Sequence, residues 1–336
     1  MPNKKQILKK STAAKAVARK ASVKKTSNTP SARPAAPAKL NPTQKKEFEA
    51  WSNECFEERK QAPTLRALAG RPALRQFIVV AEGDSWFDYK PAFLGGKDLL
   101  GHLQTSGRIN VYRVSKAGDT LENMIYGTET TGSGPNLAPK LPPQIERTLD
   151  AIRHKNADAF FFSGGGNDLA GVELGTYLNH KDSGQPVLRE AALDYIFGAY
   201  FDKALADLIG QVHLIKPGIP IFLHGYDYAV PDGRDVHFFG FSFSGPWLKP
   251  ALTQKRYPNL DEGRRIMVDV LNRFNAALQR VAAAHQNVYF IKLLGTLRSN
   301  QSYKQDWANE LHPTSDGFKK LATVLEREML AVLEGQ

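Results

Sequence analysis

From residue 75 onward the chain alternates between short apolar runs and longer stretches with helical spacing. Five runs read as buried strands: 76–82 (QFIVVAE), 109–114 (INVYRV), 158–163 (DAFFFS), 219–224 (IPIFLH) and 287–292 (NVYFIK). Each is short, β-branched or aromatic, and bounded by Gly, Pro, Asn or Asp. Helical patterns lie near 97–104, 119–127, 143–154, 187–215, 261–285 and 315–333. Strands that are apolar on both faces, separated by helices, predict an α/β fold with a parallel sheet covered on both sides. In such a sheet the functional residues gather at the carboxyl ends of the strands.

Two connections are longer than the topology needs, 169–186 and 226–260, both rich in Gly, Pro and Asp. The second carries Phe238, Phe239, Phe241, Phe243 and Trp247. Long loops over the active end of a sheet commonly shape a pocket, although large apolar side chains also default to ordinary burial.

Ahead of the alternating region stand two segments of different character. Residues 43–61 place Phe48, Trp51, Cys55 and Phe56 at helical spacing and predict an amphipathic helix, with 62–74 as its connector. Residues 1–42 hold nine lysines, two arginines and no acid, which equals the net charge of +11 of the whole chain. The body from 75 to 336, with its 43–74 extension, is therefore neutral, and the basicity belongs to a tail. That tail is Ala-, Lys-, Ser- and Pro-rich without an aromatic residue, a composition that predicts disorder. A polyanion such as nucleic acid or an anionic membrane is the partner its charge suggests; a merely solubilising tail is the bland reading.

The lone cysteine, Cys55, cannot form an internal disulfide and reads as a small apolar residue of the 43–61 helix. No apolar run approaches the length of a membrane span, and no secretory signal is legible, so a cytoplasmic protein without a transmembrane segment is expected. No paired Cys/His cluster and no His-Glu-x-x-His pattern occurs, and Gly164-Gly165-Gly166 lacks the Lys-Ser/Thr of a phosphate loop. Neither a metal nor a cofactor is expected.

Candidate chemistry lies where the strands end. The first strand runs into Glu82-Gly83-Asp84-Ser85-Trp86, which places a serine hydroxyl at the active edge of the sheet. The second is followed by Ala117-Gly118-Asp119-Thr120, where glycine lets a backbone N–H approach a ligand. The third is followed by Gly164-Gly165-Gly166-Asn167-Asp168, whose Asn167 amide can donate to a developing negative charge. After the fifth comes Asp306-Trp307-Ala308-Asn309-Glu310-Leu311-His312-Pro313-Thr314, which offers a histidine in a loop at the same edge. Taken singly, Asp84-Ser85 and His312-Pro313 are turn residues. Taken together they supply a nucleophile, a base and an oxyanion hole made by the Ser85 N–H, the Gly118 N–H and the Asn167 side chain. Asp84 and Asp168 are expected to brace their turns, and Asp119 or Thr120 to cap the next helix.

The four blocks, in this order and each after its own strand, resemble those of the GDSL/SGNH serine hydrolases over about residues 75–335. The resemblance implies a flavodoxin-like three-layer α/β/α sandwich with a five-stranded parallel sheet. It also implies an esterase or lipase activity through an acyl-enzyme on a small-molecule, lipid or acylated ester substrate. Ser85 is then the nucleophile, Gly118 and Asn167 are oxyanion donors, and His312 is the base. One position departs from the family pattern. The aspartate usually found three residues before the histidine is Asn309 here. An amide can orient an imidazole but lends it no charge, and in serine proteases Asp→Asn at the equivalent role costs about 10⁴ in turnover through the wrong tautomer. The expected substitute is a carboxylate of the same loop, with Asp306 preferred over Glu310, or else a backbone carbonyl. The same departure leaves an alternative of another class: a weakly catalytic or non-catalytic binding module tethered by its basic tail.

Overall fold

A computed structural model describes residues 75–89, 96–238 and 241–335, with the side chains of 237–243 excepted. The basic segment 1–42, the 43–61 helix with Cys55, and Phe238, Phe239, Phe241 and Phe243 as pocket residues lie outside what is described.

The five expected strands are present, each within two residues of its predicted bounds. They are β1 (Phe77–Gly83), β2 (Ile109–Arg113), β3 (Ala159–Ser163), β4 (Ile221–His224) and β5 (Val288–Ile291). All pair in parallel, in the order β2-β1-β3-β4-β5. Every residue of β3 and β4 is buried, which explains why both read as unbroken apolar runs. The edge strand β2 alternates instead, with Asn110 and Tyr112 exposed.

The helices that flank the sheet are α1 (Leu99–Leu103), α2 (Leu121–Tyr126), α3 (Gln144–His154), α4 (Phe201–Ile215), α5 (Leu260–Ala284) and α6 (Ser315–Glu334). They form two packed groups. α6 lies against α1, while α2, α3, α4 and α5 pack on one another. Two groups on a sheet that is apolar on both faces make a three-layer sandwich. Caps fix the helix starts: Asp98 accepts from the Gly101 N–H, Thr120 from Asn123, Asn259 from Asp261 and Glu262, and Thr314 from Gly317. Each such cap satisfies donors that the helix itself leaves unpaired.

The helical pattern at 187–215 breaks into three pieces. A short helix Glu190–Asp194 passes through a π turn, Tyr195–Tyr200, into α4. The π turn brings Phe197 and Phe201 edge-on to Phe274 of α5, and Arg280 donates to the Phe197 carbonyl at 2.6 Å. Partners on another helix decide this, and periodicity along the chain does not record them. The long connections also hold structure of their own. A helix Val172–Thr176 lies in the first, and a two-stranded ribbon (Val236–Phe238 with Phe241–Ser244) and a helix Lys249–Gln254 lie in the second. Among the described residues no helix is long and apolar enough to cross a membrane.

The strand order reverses between β1 and β3. The loops leaving those two strands diverge to opposite sides and open a crevice at their carboxyl ends. Ser85 follows β1 and Asn167 follows β3, so topology alone places both at this crevice.

Candidate active site

Ser85 sits on one hydrogen-bonded turn, not at the start of a helix. The N–H groups of Phe87 and Asp88 both reach the Asp84 carbonyl at 3.1 Å. The Asp84 carboxylate accepts from the Trp86 N–H at 3.0 Å, as expected of a residue bracing its turn. The turn can pass this close to β3 only because residue 83 is glycine. A Cβ there would lie 2.8 Å from the Phe87 ring and from both the carbonyl oxygen and Cβ of Ser163. Beneath the turn, Tyr226 donates its hydroxyl to Asp84. Burial pushes the Asp84 carboxyl up to about 6, against the opposing hydrogen bonds from Tyr226, Trp86 and Ser163. One strand residue earlier, burial likewise lifts Glu82 to about 7, while Thr148 and Gln144 of α3 donate to it.

The next two blocks are fastened to the first and to each other. Lys116 N–H donates to the Gly83 carbonyl at 2.9 Å, and Ala117 N–H to the Asp88 carboxylate at 3.3 Å. Asn167 donates one amide N–H to the Asp119 carbonyl at 2.7 Å, and Asp168 accepts from the Leu121 N–H at 2.9 Å. A carboxamide carries two N–H bonds, so Asn167 keeps one for a ligand. Gly118 is exposed with φ +87°, and a Cβ built on it meets nothing within 4 Å. Its backbone therefore borders open space. Ser85 and Asn167 share a pocket, open at its mouth, which Leu169, Tyr226, Leu248, Met267, Leu271 and Leu311 make largely apolar.

The structure brings His312 directly onto Ser85, with Nε2 and Oγ 2.8 Å apart. Three contacts fix the imidazole. Tyr89 stacks on it, with ring centroids 4.3 Å apart and planes at 19°. Trp247 meets it edge-on at 5.4 Å. Asn309 Oδ1 lies 3.0 Å from His312 Nδ1. The Trp86 indole N–H donates to the Leu311 carbonyl at 2.9 Å and ties the serine turn to the histidine loop.

The expectation that Asp306 orients His312 is corrected here. Its carboxylate turns the other way, to Lys320 of α6 at 2.6 Å and to the Arg298 guanidinium at 3.0 Å and backbone N–H at 2.8 Å. With two cations as partners it braces the loop and does not reach the imidazole. Glu310, the second choice, is fully buried and accepts backbone N–H groups from Gly233, Trp247, Leu248 and Lys249. Asn309 itself takes the position facing Nδ1.

The amide does so without the tautomer penalty that Asp→Asn brings elsewhere. Asn309 Oδ1 accepts the Leu311 N–H at 3.0 Å and the His312 N–H at 2.9 Å, while Nδ2 donates to the Tyr89 hydroxyl at 3.0 Å. Turning the amide over would set its NH2 against two backbone N–H donors. The oxygen is therefore held toward Nδ1, the proton resides on Nδ1, and Nε2 presents its lone pair to the serine hydroxyl. Burial pushes the phenol of Tyr89 up, so it stays neutral. What Asn309 does not supply is negative charge. Burial, with no carboxylate to offset it, drives His312 down to about 3.

This sets a direction for pH dependence. His312 stays neutral well below the usual histidine range, so the acid limb of kcat/KM is expected far under pH 6.5, the ordinary value for histidine. In Asn309→Asp a charge faces Nδ1, and the limb is expected to rise by roughly one pH unit or more. A pH profile of both proteins on a p-nitrophenyl ester checks this; an unmoved limb in the variant contradicts it. Folding has the same sign. A histidine whose folded value is depressed loses stability as pH falls below its unfolded value, so circular dichroism must accompany the acid points.

Sequence reasoning missed Tyr89, because an aromatic four residues after a serine carries no signal of the stacking that the fold creates. It missed the role of Asn309 by weighing its charge and not its two ends.

The chain matches the family model described as GDSL-like Lipase/Acylhydrolase over residues 83–320. No curated protein matches it. Among solved structures it is similar to a family 3 carbohydrate esterase of Clostridium thermocellum (16% identity, 78% of this chain, 98% of that one, TM-score 0.41). It is also similar to a carbohydrate esterase family 3 protein of Talaromyces cellulolyticus (10%, 78% and 100%, TM-score 0.40). A third is LAE5, an alpha/beta hydrolase enzyme from the metagenome of Lake Arreo (13%, 78% and 97%, TM-score 0.40).

Proposed function

Because this chain belongs to the GDSL-like lipase/acylhydrolase family and is thus a hydrolase of ester bonds, we propose that it is a serine esterase working through Ser85 and His312. The observation that carries the reading is the 2.8 Å contact of His312 Nε2 with Ser85 Oγ, with Nδ1 held by the oxygen of Asn309. His312 takes the hydroxyl proton as Oγ attacks the ester carbonyl. The negative charge that develops on the carbonyl oxygen is met by the Ser85 N–H, the Gly118 N–H and the free N–H of Asn167, each donor worth about 3 kcal/mol in such a role. His312 then protonates the leaving alcohol. A water activated by the same imidazole releases the acid and restores the serine.

The apolar pocket beside Ser85 suits an acyl chain. Hydrolysis of p-nitrophenyl esters from acetyl to palmitoyl tests the reading, since release of p-nitrophenolate must depend on Ser85 and show a chain-length optimum set by that pocket. The alternative of a non-catalytic binding module rested on the missing aspartate. The arrangement of Asn309 supplies its orienting role and removes that support.

The contact of residues 1–42 with a polyanion remains a proposal resting on charge alone. Salt-sensitive binding to DNA or anionic vesicles that disappears on deleting 1–42 is the expected result; equal binding by the shortened chain contradicts it.

A further inference from the structure

Glu310 is a buried carboxylate that the reaction does not use, and its surroundings are unusual. Its Oε1 accepts the N–H groups of Gly233 at 2.9 Å and Lys249 at 3.0 Å. Its Oε2 accepts those of Trp247 at 2.6 Å and Leu248 at 2.7 Å. All four donors lie on the long connection between β4 and α5, 61–77 residues from Glu310 in sequence. Arg234 closes the same junction from the other side, donating to the carbonyls of Trp307 at 2.7 Å and Ala308 at 3.0 Å.

Two of the four donors belong to residues at the chemistry. Trp247 meets the His312 ring edge-on, and Leu248 is part of the pocket wall that also includes Ser85. The loop that carries Glu310 supplies Trp307 and Leu311 to the same pocket. One carboxylate therefore sets the distance between two walls of one pocket: its backbone on the histidine side, its oxygens on the Trp247–Leu248 side. A charged acceptor bonded to backbone N–H groups gives stronger and better aimed bonds than a neutral one. The turn at 247–249 is thus fastened to Glu310 through three successive backbone N–H groups.

We propose that Glu310 is a positioning residue that fixes the Trp247–Leu248 wall and thereby sets the size of acyl group the pocket accepts, an inference that rests on the esterase reading above. A glutamine at 310 has one oxygen for four donors, and its NH2 faces two N–H groups that it repels. The wall then shifts, and groups that fill the pocket suffer more than those that barely enter it.

The test compares full-length wild type, Glu310→Gln and Glu310→Asp on p-nitrophenyl acetate and octanoate, with kcat and KM resolved and folding followed by circular dichroism. Glu310→Gln is expected to lose about tenfold or more in kcat/KM on octanoate, mainly through KM, while acetate changes less than about threefold. Glu310→Asp keeps both oxygens on a reach one methylene shorter, and is expected to shift the ratio of the two esters as well; it carries the test should Glu310→Gln not fold. A role confined to bracing the fold lowers both esters by one common factor, and that result, or an unchanged ratio in a folded variant, overturns the proposal. A wild type inactive on both esters removes the esterase reading and this inference with it, whereas an active wild type with unshifted variants removes this inference alone.

Discussion

Ser85→Ala is expected to lower kcat on a p-nitrophenyl ester by about 10⁴-fold or more while leaving KM nearly unchanged. The large factor follows from removing the atom that forms the covalent bond. In enzymes of this type the activity left after such a change comes from the oxyanion donors and from binding alone. Here Gly118, Asn167 and the apolar pocket stay in place, so substrate still binds. The fold has little to lose. The hydroxyl's hydrogen bond to His312 at 2.8 Å is its one bond among the described contacts, and such a bond contributes about 1 kcal/mol net. Equal turnover by wild type and variant removes Ser85 as the nucleophile.

His312→Ala is expected to fall nearly as far, and the double variant with Ser85→Ala no further than either alone. Nucleophile and base act as one unit, so their losses do not add. The structure gives this variant a second signature. The imidazole lies between Tyr89, stacked at 4.3 Å, and Trp247, edge-on at 5.4 Å, and Asn309 Oδ1 is held in place by the backbone N–H of Leu311. Truncation therefore leaves a slot shaped for a flat ring with an acceptor at one end. Added imidazole is expected to restore part of the lost rate in His312→Ala and none in Ser85→Ala. Rescue of both variants, or a double variant clearly worse than the singles, contradicts the assignment of His312 as the base of Ser85.

The parts of this arrangement that could be seen in the sequence are those written in contiguous residues. Strands such as Ala159–Ser163 are buried along their whole length, so they appear as apolar runs, and the residue after each strand must lie at the active edge. That logic places Ser85, Gly118, Asn167 and His312 without knowledge of any contact. It fails where a side chain chooses among distant partners. Asp306 and Glu310 both stand within six residues of His312, and nothing local shows that one answers to Lys320 and Arg298 and the other to four N–H groups of the 233–249 stretch. Both carboxylates were already committed to holding the loop. The residue left to face the imidazole was the neutral one, and its suitability depends on which end of the amide Tyr89 and two backbone N–H groups select. The π turn at Tyr195–Tyr200 escapes for the same reason, since its cause is Phe274 and Arg280 on α5.

The central claim is that Ser85 Oγ becomes acylated with His312 as its base. Mixing the wild-type protein with p-nitrophenyl acetate, quenching in acid within the first turnovers and mapping the adduct by peptide mass spectrometry tests it most directly. The account predicts an acetyl group on the peptide that contains Ser85, formed together with a burst of p-nitrophenolate, absent in Ser85→Ala and strongly slowed in His312→Ala. Turnover with no adduct on Ser85, or an adduct that forms as fast without His312, would contradict it.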